Sequence, residues 1–297
     1  ATKTYDTTVL TQNTASITAG SLADGDKIGR VTTSGSALNV ADEGVNTVTN
    51  AIIVAGVAET NVTKNYEITY ETGKLTITPK TIADDDFTAL PTETKKYTGE
   101  ALTQTITGLT EGENADYTVE YSNNTNVGTA SYTITGHGNY TGTITKEFTI
   151  EKGDAPTGIT GSVSLYHKSP TKGTLNASDL TGAPATGWTG VKFVGTPTIS
   201  GDSVIASASV DEYGVLTYTP TGTAGAGKTA TIQVNVTSDN YENATVTITF
   251  TTVNINIPWP TAGNGITIVG DPVYGMTNGD ILKVTSDKLT ATTTVNV

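Results

Sequence analysis

A short block recurs three times along this chain of 297 residues and limits the folds open to it. It reads Asn65-Tyr66-Glu67-Ile68-Thr69-Tyr70, then Asn139-Tyr140-Thr141-Gly142-Thr143-Ile144, then Asn240-Tyr241-Glu242-Asn243-Ala244-Thr245. Each copy runs on into apolar residues alternating with threonine: Leu75-Thr76-Ile77-Thr78, Phe148-Thr149-Ile150, and Val246-Thr247-Ile248-Thr249-Phe250. A period of two puts the apolar set on one face of a strand. A closing motif repeated along a chain signals an array of similar units rather than one large catalytic domain.

Composition narrows the kind of unit. Apolar residues make up 35%, with only 4 Phe and 2 Trp, so each core is small and built from Val, Ile, Leu and Tyr. Thr and Val fit a pleated, half-buried surface, and the 32 glycines supply the turns between strands. The expected class is all-β: tandem small β-sandwich (Ig-like) or β-grasp-like modules, with at most a short helical turn in each. A module of this size buries only about 60% of its unfolded surface and is modestly stable alone.

The expected boundaries are 1–79, 80–152, 153–253 and 254–297. In the first module, 9–17 and 27–33 read as strands joined through the turn Ala23-Asp24-Gly25-Asp26, and 46–57 as a third. A helical turn fits 37–44. Residues 66–70 and 74–78 read as a closing hairpin around Glu71-Thr72-Gly73, because a glycine flanked by alternating residues marks a tight turn. The second module offers strands at 102–107, 117–121, 128–135 and 143–150. The third offers 161–166, 191–193, 204–210, 215–219, 229–237 and 244–252, with an irregular loop over 171–190. The last stretch opens on the stiff Ile257-Pro258-Trp259-Pro260 and holds three short strands; it is a partial fourth repeat or a C-terminal β extension.

Charge and residue usage exclude several functions. A net charge of −13 repels a phosphate backbone, so no nucleic-acid partner is expected. With only 15% charged residues the surface must be rich in hydroxyls and amides. Cysteine is absent, which removes disulfides, thiolate nucleophiles and Cys-ligated zinc. The longest apolar run, Ala51-Ile52-Ile53-Val54-Ala55-Gly56-Val57, is too short to span a bilayer, so no membrane insertion is expected in this segment.

The residues also carry a resemblance. Asn65-Tyr66-Glu67-Ile68-Thr69-Tyr70-Glu71-Thr72-Gly73-Lys74-Leu75-Thr76-Ile77-Thr78-Pro79 resembles the end of the MBG-type repeat of large bacterial surface proteins. Asn126-Val127-Gly128-Thr129-Ala130-Ser131-Tyr132-Thr133-Ile134, followed by Gly136-His137-Gly138-Asn139-Tyr140, resembles the Ig-like repeats of surface proteins from gut Firmicutes. The match covers the first two modules, and in the third only the closing strand. It implies an extracellular, cell-wall-attached, adhesin-like or stalk protein, a monomer within a longer chain whose partners are host or cell-wall glycans or proteins. The family has no catalytic residues to carry over.

Five features invite a chemical reading. Gly222-Thr223-Ala224-Gly225-Ala226-Gly227-Lys228-Thr229 fits the phosphate-loop pattern, but that loop works only when a helix follows, and here an alternating strand follows. Asp24 with Asp26, and Asp84-Asp85-Asp86, are candidate oxygen ligands for calcium, set against ordinary turn chemistry. His137 and His167 lie far apart and read as turn or strand-end residues. Asp211-Glu212 sits in a hairpin turn and lacks a facing carboxylate across a cleft. Trp188 and Trp259 sit in loop-like sequence, where a Trp either stacks on a sugar or plugs its module's end. No catalytic residue, cofactor site or obligatory metal emerges. The expected role is a non-enzymatic surface scaffold, with carbohydrate binding through Trp188 and Trp259 as the alternative.

Overall fold

The computed structural model describes residues 1–42 and 44–254 and, beyond them, the backbone of three short strands. The described fold is all-β with several sheets, and its helical content is three single 3-10 turns, at Thr63–Asn65, Asp84–Asp86 and Ala177–Asp179. Strands β1 (Thr2–Thr4), β2 (Asp26–Ser34), β3 (Gly44–Ala55), β4 (Thr60–Asn61) and β5 (Thr72–Thr78) form one sheet in the order β1-β5-β3-β2, with β4 also on β3. Next come β6 (Lys80–Thr81), β7 (Lys95–Lys96), β8 (Tyr117–Ser122), β9 (Gly128–Gly136), β10 (Tyr140–Thr141) and β11 (Thr143–Glu151). Of these, β10 pairs β6, and the others make a sheet ordered β7-β11-β9-β8.

Strands β12 (Thr160–Tyr166), β13 (Gly173–Asn176), β14 (Lys192–Gly201), β15 (Ile205–Val210), β16 (Val215–Pro220), β17 (Thr229–Thr237) and β18 (Ala244–Val253) build two sheets, β12-β18-β17-β14 and β13-β16-β15. The remaining strands, β19 (Ile266–Ile268), β20 (Ile281–Ser286) and β21 (Thr293–Asn296), form an antiparallel three-stranded sheet. Among the described residues each strand pairing joins strands within β1–β5, β6–β11, β12–β18 or β19–β21.

By compactness the chain divides into two units. Unit one holds Ala1–Thr94, Leu102–Asn124 and Thr129–Thr149; unit two holds Lys95–Ala101, Thr125–Gly128 and the chain from Ile150 on. The core of unit two is the larger. Strands β17 and β18 pair in perfect alternation, from Ala230↔Phe250 to Val234↔Val246, which places their apolar side chains on one face. Those side chains meet Leu216 and Tyr218 of the second sheet, with the Tyr218 and Phe250 rings edge to face at 4.7 Å. In unit one Leu75 and Ile77 of β5 pack with Ala37 against Tyr5, Leu10 and Val40. Tyr117, Tyr132, Ile134 and Phe148 are buried as well, and Phe87 sets its ring edge to face against Tyr117 at 5.2 Å.

Several expected elements differ, and side-chain hydroxyls explain two of the differences. Residues 66–70 are not a strand, and Gly73 is not at a turn: it pairs with Asn46 inside the β3–β5 ladder. The Tyr66 hydroxyl instead donates to the Asp26 carboxylate and accepts from the Ala23 N–H, while the Tyr70 hydroxyl accepts the Ala51 N–H at 3.1 Å. In the second segment 102–107 carries only a bridge at Thr107. There the Tyr121 hydroxyl takes the Gln104 N–H at 3.1 Å and donates to the Gln104 carbonyl at 3.0 Å. One phenol so replaces the two ladder bonds that a neighbouring strand would have supplied.

Residues 9–17 carry one bridge, Leu10↔Ala37, rather than a strand, and the helical turn falls at Thr63–Asn65 rather than over 37–44. The loop 171–190 contains β13 and a 3-10 turn, because Leu175 pairs with Leu216 and so enters the core face.

Two outcomes follow from these cores. Truncating Phe250 to Ala removes a fully buried ring and should lower the stability of unit two by about 3–5 kcal/mol in denaturant unfolding. Burial pushes the Tyr132 hydroxyl up from 10.0 to about 12. Its neutral form therefore adds stability that is complete below pH 10 and is lost as pH climbs through about 12. Unfolding measured across that window should slope downward, and Tyr132→Phe should flatten the slope.

Candidate functional site

The recurring Asn-Tyr block builds two joints to one plan. In unit one the Lys80 N–H donates to the Asn139 carbonyl at 2.9 Å and the Ile82 N–H to the Thr141 carbonyl at 2.8 Å, so the parallel pairing of β6 with β10 holds Asn139 in place. The Asn139 side chain then reaches the first segment. Its Oδ1 accepts the Val40 N–H at 2.8 Å, and its Nδ2 donates to Asn39 Oδ1 at 2.9 Å. The turn that presents Asn39 is tied by Asp42, whose carboxylate takes the N–H groups of Leu38 and Asn39. Those bonds, Asn39's first, hold the Asp42 carboxyl below its usual range. Beside them the Tyr140 ring meets Tyr5 edge to face at 5.6 Å.

Unit two repeats the arrangement. The Gly153 N–H donates to the Asn240 carbonyl and the Glu242 N–H to the Gly153 carbonyl, both at 2.9 Å. Asn240 Oδ1 accepts the Val127 N–H at 3.0 Å, and its Nδ2 donates to Asn126 Oδ1 at 3.3 Å. The Tyr241 ring meets Tyr97 edge to face at 5.2 Å. In both places an Asn amide reads an Asn-Val dipeptide, accepting from the Val backbone and donating to the Asn side chain. Edge-to-face ring pairs add about 0.5–1.5 kcal/mol beyond area burial.

The second joint is further tied. The Tyr241 hydroxyl donates to the Thr186 carbonyl at 3.1 Å and Lys152 Nζ to the Ser238 carbonyl at 2.7 Å. Gly187 sits at φ +68, and a Cβ there would lie 1.9 Å from the Tyr97 hydroxyl oxygen, so only glycine fits. The first copy of the block is used differently: Tyr66 bonds to Asp26 and Ala23 within the first segment itself.

Sequence reading singled out the Asn-Tyr blocks but missed Asn39-Val40 and Asn126-Val127. The dipeptide also occurs at Asn61-Val62, Asn235-Val236 and Asn296-Val297, so it does not stand out in a chain rich in both residues.

The other candidates are placed as follows. Gly222–Lys228 leads straight into β17, so no helix N-terminus faces the loop. Asp26 bonds the Tyr66 hydroxyl and Asp24 lies in the preceding turn. Asp84 pairs with Lys146 at 2.5 Å, and Asp86 pairs with Lys80 and accepts the Ala83 N–H. Asp85 shares their 3-10 turn. Among the described residues no group of three His, Asp or Glu is gathered as a metal site would require. Asp211 Oδ1 accepts the N–H groups of Tyr213 and Val215, closing the β15–β16 hairpin. His137 Nε2 lies 2.8 Å from Thr118 Oγ1, and His167 is buried with its N–H on the Val253 carbonyl. Trp188 is half-buried, packed on the unit-two core and tilted against Tyr241 at 6.4 Å, with its Nε1 buried and without a hydrogen-bond partner among the described residues. Trp259 lies outside the described residues. No helix among the described residues is long and apolar enough to cross a membrane.

No family model and no curated protein matches the chain. Among solved structures it is similar to the endo-fucoidan hydrolase MfFcnA4 of glycoside hydrolase family 107, at 13% identity over 79% of this chain and 38% of that one, with a TM-score of 0.23. It is similar to the protocadherin gammaB4 extracellular domain at 14% identity over 72% and 39%, TM-score 0.23. Domains 1–6 of the surface layer protein SbsC match at 15% identity over 85% and 44%, TM-score 0.22. The chain thus spans less than half the length of each of the three, and likenesses at these scores carry no argument about fold or activity.

Removing an Asn amide tests the joints. Asn139→Ala leaves the Val40 N–H without its partner, and Asn240→Ala does the same to Val127. Each should cost about 1–3 kcal/mol in denaturant unfolding, with the Asn39 or Asn126 side-chain amide resonance shifting in step.

Proposed function

We propose that this chain is a non-enzymatic repeat region of a bacterial cell-surface protein of the MBG and Ig-like kind, acting as a stalk or presentation scaffold outside the cell. The observation that supports this reading is the twice-repeated joint. A scaffold must transmit position from one module to the next, and a bidentate amide flanked by an edge-to-face ring pair fixes both a distance and a rotation. Enzymes instead gather reactive side chains around one cleft. The motif residues of this chain are used on backbone groups and turns.

The four expected modules are part of the proposal, as is the partner class, a host or cell-wall glycan or protein met elsewhere on the parent chain. A low charge density and a hydroxyl-rich surface suit a region that stays in water without gripping polyanions.

Antibodies raised against residues 1–254 should label intact, unpermeabilised cells of the source organism, and protease shaving of those cells should release fragments of this chain. Labelling that appears only after permeabilisation would overturn the assignment.

A further inference from the structure

The first and third segments are built on the same sheet. The orders β1-β5-β3-β2 and β12-β18-β17-β14 each begin with a parallel strand pair and continue with an antiparallel one. In unit two a second sheet, β13-β16-β15, covers the apolar face of the first with Leu216 and Tyr218. The first segment forms no second sheet among its described residues. Two strandless stretches, 14–22 and 66–71, face β2–β3 instead, across a cavity of about 560 Å³ floored by Ile28, Val48, Ala51 and Ile53.

Side chains hold both walls. The Tyr66 hydroxyl bonds Asp26 and Ala23, and the Tyr70 hydroxyl takes the Ala51 N–H. Ahead of the other wall the Gln12 carbonyl accepts Thr33 Oγ1 at 2.7 Å and Asn46 Nδ2 at 2.9 Å. The wall backbones are left over: residues 14–22 and 67–70 make no backbone hydrogen bond among the described residues. The second wall nonetheless has the form of a strand. Tyr66 sits at φ −121, ψ 142, and half-buried Tyr66 and Ile68 alternate with exposed Glu67 and Thr69. An extended backbone with unpaired N–H and C=O groups is a template for another strand. Apolar surface is also open in the slot, since Ile28 and Val48 are only half-buried and Ile17 on the first wall is 47% exposed. Charge among the described lining residues is confined to Glu67 and Glu71.

We infer that this slot takes an extended peptide strand of another protein, with alternate apolar side chains on the floor, main-chain groups bonded to the walls, and Lys or Arg beside Glu67 and Glu71. Strand addition draws its affinity from main-chain hydrogen bonds and its selectivity from pockets for alternate side chains. A lipid tail covers the floor but leaves the wall backbones unpaired. A second copy of this chain brings a net charge of −13 to an acidic rim, so the partner is a basic segment of a different protein. The site is separate from both joints and from Trp188, and it does not rest on the scaffold reading.

The test is a titration of residues 1–297 with the end-blocked peptide Lys-Val-Thr-Ile-Thr-Val-Lys, followed by backbone amide resonances and hydrogen exchange. Binding should be saturable, and N–H groups within 14–22 or 67–70 should gain at least tenfold protection. The same peptide methylated on its Val and Ile nitrogens keeps the side chains but loses those donors, and should not bind. With Glu in place of Lys it should bind at least tenfold more weakly. In the protein, Glu67→Lys together with Glu71→Lys should reverse that charge preference. Ile17→Ser, at an exposed position, should weaken binding severalfold without lowering the thermal midpoint. Absence of saturable binding at millimolar peptide overturns the assignment. So does equal binding by the methylated or the acidic peptide, or protection confined to residues away from both walls.

Discussion

A backbone N–H with no strand beside it is the constraint on which this molecule turns. Val40 and Val127 each present such a group, and an Asn amide from further along the chain satisfies it. Both donors are half-buried, and the amide pairs each of them where no strand does. The amide has two ends, and its Nδ2 is directed to the side chain of the residue preceding each valine. A single hydrogen bond leaves rotation free; two from one planar group do not. The neighbouring ring pairs, Tyr5 with Tyr140 and Tyr97 with Tyr241, add shape to what the amide fixes by direction.

The same logic, with phenol in place of amide, runs through unit one. Tyr66, Tyr121 and Tyr132 each carry a hydroxyl to a backbone group of a segment outside the strands, at Ala23, Gln104 and Pro91, and Tyr70 carries its own to the Ala51 N–H of β3. A chain with 4 Phe and 13 Tyr has chosen ring bulk that can also donate and accept. This suits a small module, where too little apolar area is buried for packing alone to hold loops in place. Each such bond adds about 0.5–1.5 kcal/mol net, comparable to a ladder bond but placed wherever a Tyr side chain can reach.

These devices also decide what the sequence could reveal. Period-two patterning located β8, β9, β11, β12 and β15 to β18, because those strands bury one face and their partners lie close in sequence or in the same repeat. It misplaced 9–17, 66–70 and 102–107. In the last two, alternation is present, yet a tyrosine hydroxyl stands in for the neighbouring strand and the backbone never enters a ladder. Strand β13 was missed since its four residues carry too little pattern beside the glycines and the one proline of 171–190. The Asn-Tyr blocks were visible by repetition; their Asn-Val partners were not, because a backbone N–H can be presented by any residue and leaves no mark on composition.

The two units differ in how much they depend on these polar ties. In unit two, Phe193, Leu216, Ile232, Ile248 and Phe250 are all nearly or fully buried in one cluster spanning two sheets. In unit one the first segment gathers Ala37, Leu75 and Ile77 around Tyr5, Leu10 and Val40, the residues that flank its joint, while Tyr117, Tyr132, Ile134 and Phe148 are buried in the second. Val40 thus contributes its side chain to the small core and its N–H to Asn139. Coupling of this kind makes the order of the first segment conditional on the second, since moving the turn at Asn39 moves a core residue. A segment with so small a core completes itself through the next stretch of chain, and here the completing contact is the asparagine amide.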